Sequence, residues 1–306
     1  MEEVRALVPH FEAAFLDYMA EWTLHGRRRL ARCYTTYKNC PLPTPEDRLL
    51  CILISLTQNP TQLLHGRVFG MRQSKATPWL HVLLPVLCNT LRTLGDAPCR
   101  SLETLCERLG VEGPLLPRRR STRRRSPRHH TPSGPPFGHD GTERPLPRPQ
   151  DATAQKRCYS GKKTRHMLKN LLLINGALRI LVLSETHPGS VHDKRIADTT
   201  PYPLPAGSQL LQDVGFQALT LDGVDIIQPT KKPRGQELTR APRASNRKIS
   251  RRRVRIEHVN SSVKRCRRLK ETIRVWKAGI RAMVMAIGCA LHNFRVRLTP
   301  SWAPLV

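Results

Sequence analysis

The stretch "HMLKNLLLINGALRILVLSE", residues 166–185, predicts a β-hairpin. Two apolar runs rich in β-branched residues meet at Asn175-Gly176, and Asn-Gly between such runs is a strong turn signal. Beyond it, "SVHDKRIADT" predicts a short helix, "SQLLQDVGF" a buried strand that ends at Asp213, and "GVDIIQP" a further strand. Two long helical stretches follow, at about 246–270 and 272–295. This order predicts an α/β domain with a mixed sheet flanked by helices.

The residues before this domain favour helices. Over 1–110 we expect a helical domain, in which Thr44 is an N-cap and Pro45 the first helical residue of one helix. Within 44–94, a short helix, a turn at Phe69-Gly70-Met71 and a longer amphipathic helix fit a helix-turn-helix. A small helical bundle with no role in DNA binding remains the alternative.

Residues 111–139 differ in composition from both flanks. The segment "PRRRSTRRRSPRHH" (117–130) holds seven Arg and no acidic or apolar residue, so we expect a disordered linker. The prolines and glycine of "TPSGPPFGH" also argue against a central strand just before Asp140. A pair of compensating frameshifts would explain the abrupt change. On that hypothesis Asp140 is poorly placed and the protein is inactive.

The overall charge favours a polyanionic partner. A formal net charge of +29 points to nucleic acid or an anionic membrane surface. The longest apolar run, 171–184, is short and interrupted by Asn, Gly and Arg, and the acidic N-terminus lacks a signal-peptide pattern. Nine cysteines without a C-x-x-C pair favour reduced thiols over a disulfide framework or a zinc site. We therefore expect a cytoplasmic, nucleoid-associated protein that binds DNA or RNA and no membrane.

Three acidic residues are candidates for chemistry in this basic chain. Asp140 precedes a Gly-Thr turn, Asp213 ends an apolar run, and Glu257 lies on a helix between Arg253 and Lys264. Carboxylates hold the hard divalent cations that phosphoryl transfer uses. Each residue also has an ordinary interpretation, because Asp-Gly forms common turns and Arg253 and Glu257 are spaced for an i,i+4 ion pair. Spacing alone does not choose between these interpretations.

Several blocks of the sequence resemble DDE transposases, in particular the insertion-sequence transposases related to the eukaryotic Harbinger family. The resemblance covers nearly all of 140–295 in order, and residues 44–94 resemble the helix-turn-helix that precedes the catalytic domain in that family. The blocks are "DGTERPLPRP", "YSGKKTRHMLKNLLLI", "HPGSVHDKRIAD", "LLQDVGFQAL", "QPTKKPRG", "NRKISRRRVRIEHVNSSVKR" and "ALHNFRVRL".

The resemblance implies an RNase H-like catalytic domain over 140–298, followed by a tail at 299–306. The acidic triad then falls on Asp140, Asp213 and Glu257, which would hold two Mg²⁺ ions, with Mn²⁺ as a substitute. The implied reaction is cleavage at terminal inverted repeats and transfer of the 3′-hydroxyl into target DNA, with no covalent enzyme–DNA intermediate. The family also implies a homodimer on paired ends of double-stranded DNA.

Roles in DNA binding are implied as well. We assign DNA-phosphate contacts to four cationic residues: Arg253, Lys264, Lys162 and Lys163. Recognition of the repeats would fall to Ser74, Lys75 or their neighbours. The family pattern of Tyr, Arg, Glu and Lys has Ser250 at its tyrosine position, and Asp193 matches a family block outside the triad, so we treat Asp193 as structural. An active transposase, a decayed copy, a non-enzymatic nucleic-acid-binding protein and a host nuclease on the same fold all remain open.

Overall fold

The computed structural model describes residues 2–30, 33–111, 134–200, 202–233, 235, 237–272, 274, 279–299 and 305. The chain divides into two compact units. The first combines 1–97, 144–147 and 261–300, and the second combines 98–143, 148–260 and 301–306. Most of the linker expected at 111–139 lies outside the described residues.

The described elements begin with five helices and end with three, and all the strands lie between them. The helices are α1 Glu2–Glu21, α2 Pro45–Gln58, α3 Gln62–Val68, α4 Gln73–Thr93, α5 Leu102–Leu109, α6 Ala152–Cys158, α7 Asp193–Thr199, α8 Arg240–Val263, α9 Arg267–Lys270 and α10 Ile280–Leu298. The strands are β1 Pro136–Pro145, β2 Tyr159–Ser160, β3 Arg165–Asn175, β4 Ile180–Leu183, β5 His187–Pro188, β6 Gln209–Leu211 and β7 Asp225–Ile227. None of these helices combines the length and apolarity that crossing a bilayer requires.

The first unit begins its helices with the predicted capping chemistry. The Thr44 hydroxyl accepts from the backbone N–H of Asp47, the Asp47 carboxylate accepts from the Thr44 N–H, and Pro45 is the first helical residue of α2. Helix α3 ends in a turn in which Gly70 has φ of 64°, and the Met71 N–H returns to the Gly66 carbonyl at 2.8 Å. The helices and the turn predicted within 44–94 are confirmed. Their role as a DNA-binding motif stays a prediction.

The C-terminal helix α10 belongs to this first unit, and a buried acidic residue after α4 forms hydrogen bonds with it. Asp96 is fully buried just after α4, and its carboxylate accepts from the Arg297 guanidinium at 3.1 and 2.7 Å. The amide of Asn293 donates to the Asp96 carbonyl at 2.8 Å. These contacts join residues about two hundred positions apart in sequence, a pairing that local periodicity does not predict.

The second unit is a mixed α/β structure. Seven strands of its described part form one sheet, with the path β2-β3-β1-β6-β7 and with β4 and β5 also paired to β3. Strands β1, β6 and β7 run parallel, whereas β2, β4 and β5 are antiparallel to β3. This mixed sheet with helices is consistent with an RNase H-like domain. Cys99 bridges to Val182 of β4, so residues 98–111 belong to this unit, whereas the sequence placed the boundary near residue 110.

The predicted hairpin is confirmed as β3 and β4. Leu172 pairs with Leu183 and Leu173 with Val182, and the Asn175 side chain accepts from the Arg179 N–H at 2.9 Å within the turn. The short helix α7 and the strand β7 are also found where they were predicted. Strand β6 ends at Leu211, two residues before Asp213 rather than at it.

The prediction that no central strand precedes Asp140 is wrong. Strand β1 begins at Pro136, contains Asp140 and lies between β3 and β6 in the sheet. A proline is tolerated at the first residue of a strand, where the ladder does not need its missing N–H. The carbonyl of the preceding Pro135 accepts from the Gln209 N–H at 3.2 Å. The missing side chain of Gly138 makes room for Ile256 of α8. Asp140 therefore lies on a central strand, and the frameshift hypothesis itself stays a hypothesis.

The two C-terminal helices have different bounds from those predicted. Helix α8 begins earlier, at Arg240, and ends at Val263, where the Arg265 and Cys266 N–H groups bond to the Ser262 and Val263 carbonyls in a tight turn. The next long helix begins only at Ile280. Residues 264–266 hold no proline or glycine, so no helix breaker in the sequence marks this end.

Candidate active site

Asp140 and Asp213 follow equivalent positions of two neighbouring parallel strands. Phe137 of β1 pairs with Leu210 of β6, and Gly138 pairs with Leu211. Asp140 and Asp213 each lie two residues beyond this last pair. Ligands of open α/β sheets bind beyond the carboxyl ends of parallel strands; Asp213 lies just beyond the end of β6, and Asp140 lies within the longer neighbouring strand β1.

The carboxylate of Asp140 is half-buried, and both of its oxygens accept hydrogen bonds. Oδ1 accepts from the Gly141 N–H at 2.8 Å, and Oδ2 accepts from Nδ2 of Asn260 at 2.7 Å. Burial raises the pKa of Asp140 to about 6, and the charge of Asp213 adds to the rise. The Gly141 N–H, the Arg253 guanidinium and the Asn260 amide oppose it. Asp213 is therefore close enough for its charge to act on Asp140.

Asp213 is more exposed than Asp140, and its carboxylate is ion-paired with an arginine side chain. Its Oδ1 accepts from the Val214 N–H at 2.7 Å, which caps the single 3₁₀ turn Val214–Phe216. The same oxygen lies 3.2 Å from Nη1 of Arg253. Arg253, assigned above to a DNA phosphate, is thus paired with one of the predicted catalytic acids.

One face of helix α8 supplies the partners of both aspartates. Arg253, Glu257 and Asn260 follow one another at i, i+4 and i+7, so their side chains share that face. The Glu257 side chain is exposed and takes part in none of the contacts described above. Within the described part of the chain, no three His, Cys, Asp or Glu side chains lie close enough together to hold a metal. The structure therefore brings Asp140 and Asp213 together and leaves Glu257 one helical turn from Asn260.

The donor set at this edge has the chemistry that Mg²⁺ or Mn²⁺ requires. Asp140 and Asp213 offer carboxylate oxygens, and Glu257 lies on the same helix face as their partners. In addition, Oδ1 of Asn260 is buried without a hydrogen-bond partner. All of these are hard oxygen donors, and no soft or nitrogen ligand lies among them. The residues present fit a magnesium-type ion.

The remaining predicted DNA contacts lie on exposed turns or helix ends. Lys162 and Lys163 are exposed in the turn between β2 and β3. Lys264 lies one residue beyond the end of α8, so it does not continue the helix face of Arg253. Ser74 and Lys75 are exposed in the first turn of α4. Their roles in DNA binding stay predictions.

Asp193, which the sequence left as structural, forms an ion-paired cluster on the second unit. Nζ of Lys169 lies 3.2 Å from Asp193 Oδ1 and 3.4 Å from Glu143 Oε1. A Cβ added to Gly141 would meet the Asp193 carboxylate at 3.2–3.3 Å, so a larger residue there would displace that carboxylate by a few tenths of an ångström. This packing fixes the strand immediately after Asp140.

Two buried polar residues directly precede the aspartates, and the sequence interpretation missed both. His139 and Gln212 are almost completely buried, at 1% and 0% exposure. The His139 ring lies 4.0 Å from that of Phe216, and Nε2 of Gln212 donates to Oε1 of Gln228 at 2.6 Å. Burial lowers the pKa of His139 to about 4, and the Gln212 side chain opposes the shift. Their position just before each acid was a signal that sequence reasoning did not use.

Asn260 was missed as well, although its spacing was visible. It lies four residues after the buried Ile256, at the edge of the apolar stripe of α8, and three residues after Glu257. An amide at the edge of the buried face of an otherwise basic helix needs a polar partner, since buried polar groups are normally hydrogen-bonded. Its partner is Asp140.

Comparisons with known proteins agree on one family. The family described as DDE superfamily endonuclease matches residues 139–293. A probable transposase for insertion sequence element IS702 from Microchaete diplosiphon is 32% identical over 125 residues, which cover 41% of this chain. The matched part spans 45% of that relative's length. No solved structure matches the chain.

Proposed function

We propose that this chain, which belongs to the DDE superfamily endonucleases and resembles an insertion-sequence transposase, cuts and joins DNA at the ends of a mobile element. Asp140, Asp213 and Glu257 would hold two Mg²⁺ ions, or Mn²⁺ in their place. The substrates would be terminal inverted repeats and a target site in double-stranded DNA, within the cytoplasm at the nucleoid. A homodimer would bring two ends together.

The register of β1 and β6 is the observation that carries this proposal. It pairs Gly138 with Leu211, two residues before Asp140 and Asp213, and α8 supplies a cation to Asp213 and an amide to Asp140. A protein that only bound nucleic acid would gain nothing from gathering carboxylates on a chain of charge +29, because they repel the phosphate backbone. A metal-dependent site explains them.

The reaction would consist of two in-line displacements at phosphorus. Water attacks the phosphodiester, the bond to the 3′ oxygen breaks, and that oxygen leaves as a 3′-hydroxyl after taking up a proton. The new hydroxyl then attacks a target phosphodiester and displaces its 3′ oxygen in turn. When bound, divalent ions would supply Lewis-acid stabilisation of the attacking and leaving oxygens.

The residues of the chain would position this chemistry. Asp140 is fixed by its two hydrogen bonds. Asp213 would hold the ion in place of its pair with Arg253, and the guanidinium would then bind a DNA phosphate. Lys162, Lys163 and Lys264 would contact the backbone elsewhere. Residues in the first turn of α4, including Ser74 and Lys75, would read the inverted repeats, as an exposed helix N-terminus does in a major groove.

A nicking assay on DNA that carries the ends of the element tests the proposal. We expect Mg²⁺-dependent nicking, its loss in Asp213→Ala and unchanged DNA binding in that variant. Asp225→Ala is the matched control, because Asp225 is exposed at the start of the neighbouring strand β7. Equal loss of binding and nicking in Asp213→Ala would contradict a metal site, and binding without any nicking would indicate a decayed or non-enzymatic protein.

A further inference from the structure

The structure assigns a fourth metal-binding residue to this site: we propose that Asn260 ligates the metal through its side-chain oxygen while its N–H group holds Asp140. This inference rests on the proposed metal-dependent function and names a residue outside the predicted triad. It depends on three observations, namely the bond to Asp140, the unpartnered oxygen, and the place of Asn260 on α8.

The orientation of the Asn260 amide follows from its partner. Nδ2 lies 2.7 Å from Oδ2 of Asp140. An ionised carboxylate only accepts hydrogen bonds, so the amide must turn its N–H group toward Asp140. The amide oxygen of the same side chain therefore points away from the Asp140 carboxylate.

That amide oxygen is buried and unpartnered. Asn260 is 9% exposed, and its Oδ1 makes no hydrogen bond within the described residues. Leaving a buried acceptor unpaired costs free energy, and such groups in folded proteins usually have a functional or ligand-binding explanation. An amide oxygen is a ligand of the hard type that Mg²⁺ and Mn²⁺ accept.

The position on α8 places Asn260 next to two residues of the predicted triad. Asn260 contacts Asp140 directly and follows Glu257 by three positions, a spacing at which helix side chains are neighbours. Because the amide is neutral, it adds an oxygen ligand without adding repulsion to Asp140 and Asp213. A further carboxylate at this position would raise that repulsion.

Mn²⁺ binding to the full-length protein tests the assignment without requiring activity. Electron paramagnetic resonance of free Mn²⁺ gives the dissociation constant of each variant. We expect Asn260→Leu, which has a similar shape and no oxygen, to weaken binding about tenfold or more. We expect Asn260→Asp, which keeps the oxygen and loses the N–H group, to bind at least as tightly as the wild type. If only the bond to Asp140 mattered, both variants would weaken binding alike, and the assignment would be overturned.

A thiol in the same place separates ligation from a general charge effect. Asn260→Cys is expected to bind Mn²⁺ more weakly but Cd²⁺ more tightly than the wild type, because thiolates prefer soft metals. A new cadmium–sulfur charge-transfer absorption, measured against the wild type with its own cysteines, would show the direct bond. Tighter Mn²⁺ binding in Asn260→Asp without any Cd–S band in Asn260→Cys would place residue 260 outside the coordination sphere.

Two controls distinguish failure of this assignment from failure of the proposed function. Asn246→Leu removes an amide from the same helix that bonds to Thr230, and it should leave Mn²⁺ affinity unchanged. Asp213→Ala should weaken Mn²⁺ binding. If the wild type and Asp213→Ala bind Mn²⁺ equally, the metal-dependent function fails. If Asp213→Ala weakens binding and Asn260→Leu does not, only the role of Asn260 fails.

Discussion

The guanidinium of Arg253 lies 3.2 Å from the carboxylate of Asp213, so a cation of the protein contacts an acid that is proposed to hold a metal. Two cations cannot share one carboxylate oxygen without repulsion, and Arg253 therefore competes with the metal for Asp213. We expect Arg253→Gln to bind Mn²⁺ about three- to tenfold more tightly, a modest charge effect at a partly solvated site. The same variant should cut DNA more slowly.

A neighbouring arginine provides the control for this prediction. Arg251 is exposed on α8 two residues earlier, on a different face of the helix from Arg253. Arg251→Gln removes the same charge without touching Asp213 and should leave Mn²⁺ affinity within a factor of about two. Equal affinity changes in the two variants would mean that net charge, not the contact with Asp213, sets metal binding.

The folded protein should be more stable at neutral pH when Asp140 carries no charge. Its pKa is raised to about 6 from 3.8, so its contribution to stability is fully present below pH 4 and is lost as the pH rises through 6. Asp140→Asn removes that loss but also weakens one of the two hydrogen bonds of the side chain. We expect a net gain of about 1–2 kcal/mol at pH 7, together with loss of nicking. Urea denaturation at pH 7 measures the gain, and a destabilised Asp140→Asn would contradict it.

His139 should have the opposite pH dependence over the same range. Burial lowers its pKa to about 4 from 6.5, so its stabilising contribution is present above pH 6.5 and is lost as the pH falls toward 4. In the wild type, this loss on acidification offsets the gain from Asp140. In His139→Gln only the effect of Asp140 remains. The free energy of unfolding of that variant should therefore fall by about 2–3 kcal/mol as the pH rises from 4 to 6.5. A flat profile in that variant, measured by urea denaturation at each pH, would contradict the assignment.

The sequence predicts most elements of the second unit because their signals are local. The Asn175-Gly176 turn between apolar runs identifies the hairpin, and the apolar run before Asp213 identifies β6 to within two residues. The start of β1 was missed because Pro136 and Gly138 count as strand breakers in a local pattern. Their suitability depends on the partner strand and on Ile256, which lies more than a hundred residues away in sequence.

The residues of the candidate site could be predicted from the sequence more readily than the contacts between them. The acids Asp140, Asp213 and Glu257 were identifiable from their blocks, yet no spacing rule shows that Arg253 pairs with Asp213 or that Asn260 bonds to Asp140. Both contacts join α8 to residues that are far from it in sequence, within β1 and just after β6. The end of α8 at Val263 was not predictable either, because residues 264–266 contain no helix breaker.

The buried carboxylate of Asp96 should make the first unit sensitive to Arg297. The guanidinium donates two hydrogen bonds to this fully buried acid, whereas the arginine side chain itself is 39% exposed. Arg297→Ala removes the charge partner and should lower the free energy of unfolding by about 2–4 kcal/mol, somewhat below the usual cost for a fully buried pair. Arg297→Lys keeps the charge but not the paired geometry and should be intermediate. If Arg297→Lys equals Arg297→Ala in thermal and urea denaturation, the geometry rather than the charge carries the stability.

The close approach of α8 to β1 should be testable by a compensating pair of substitutions. A Cβ at Gly138 would collide with Cδ1 of Ile256 and lie 2.9 Å from its Cγ1. Gly138→Ala should therefore lower the free energy of unfolding by about 1–3 kcal/mol, the usual cost of overpacking. It should also reduce nicking, because displacement of α8 moves Asn260 and Arg253 away from the two aspartates.

Ile256→Val shortens the side chain by the Cδ1 methyl group that meets the new Cβ. Alone, it should cost about 1 kcal/mol as a small cavity. In the double variant the two losses should not add, and the coupling energy from urea denaturation should be favourable by about 1 kcal/mol or more. Nicking should recover in parallel, because the helix can return to the strand. Additive losses with no recovery would mean that Gly138 is required for a backbone conformation rather than for the contact that brings α8 to the acids.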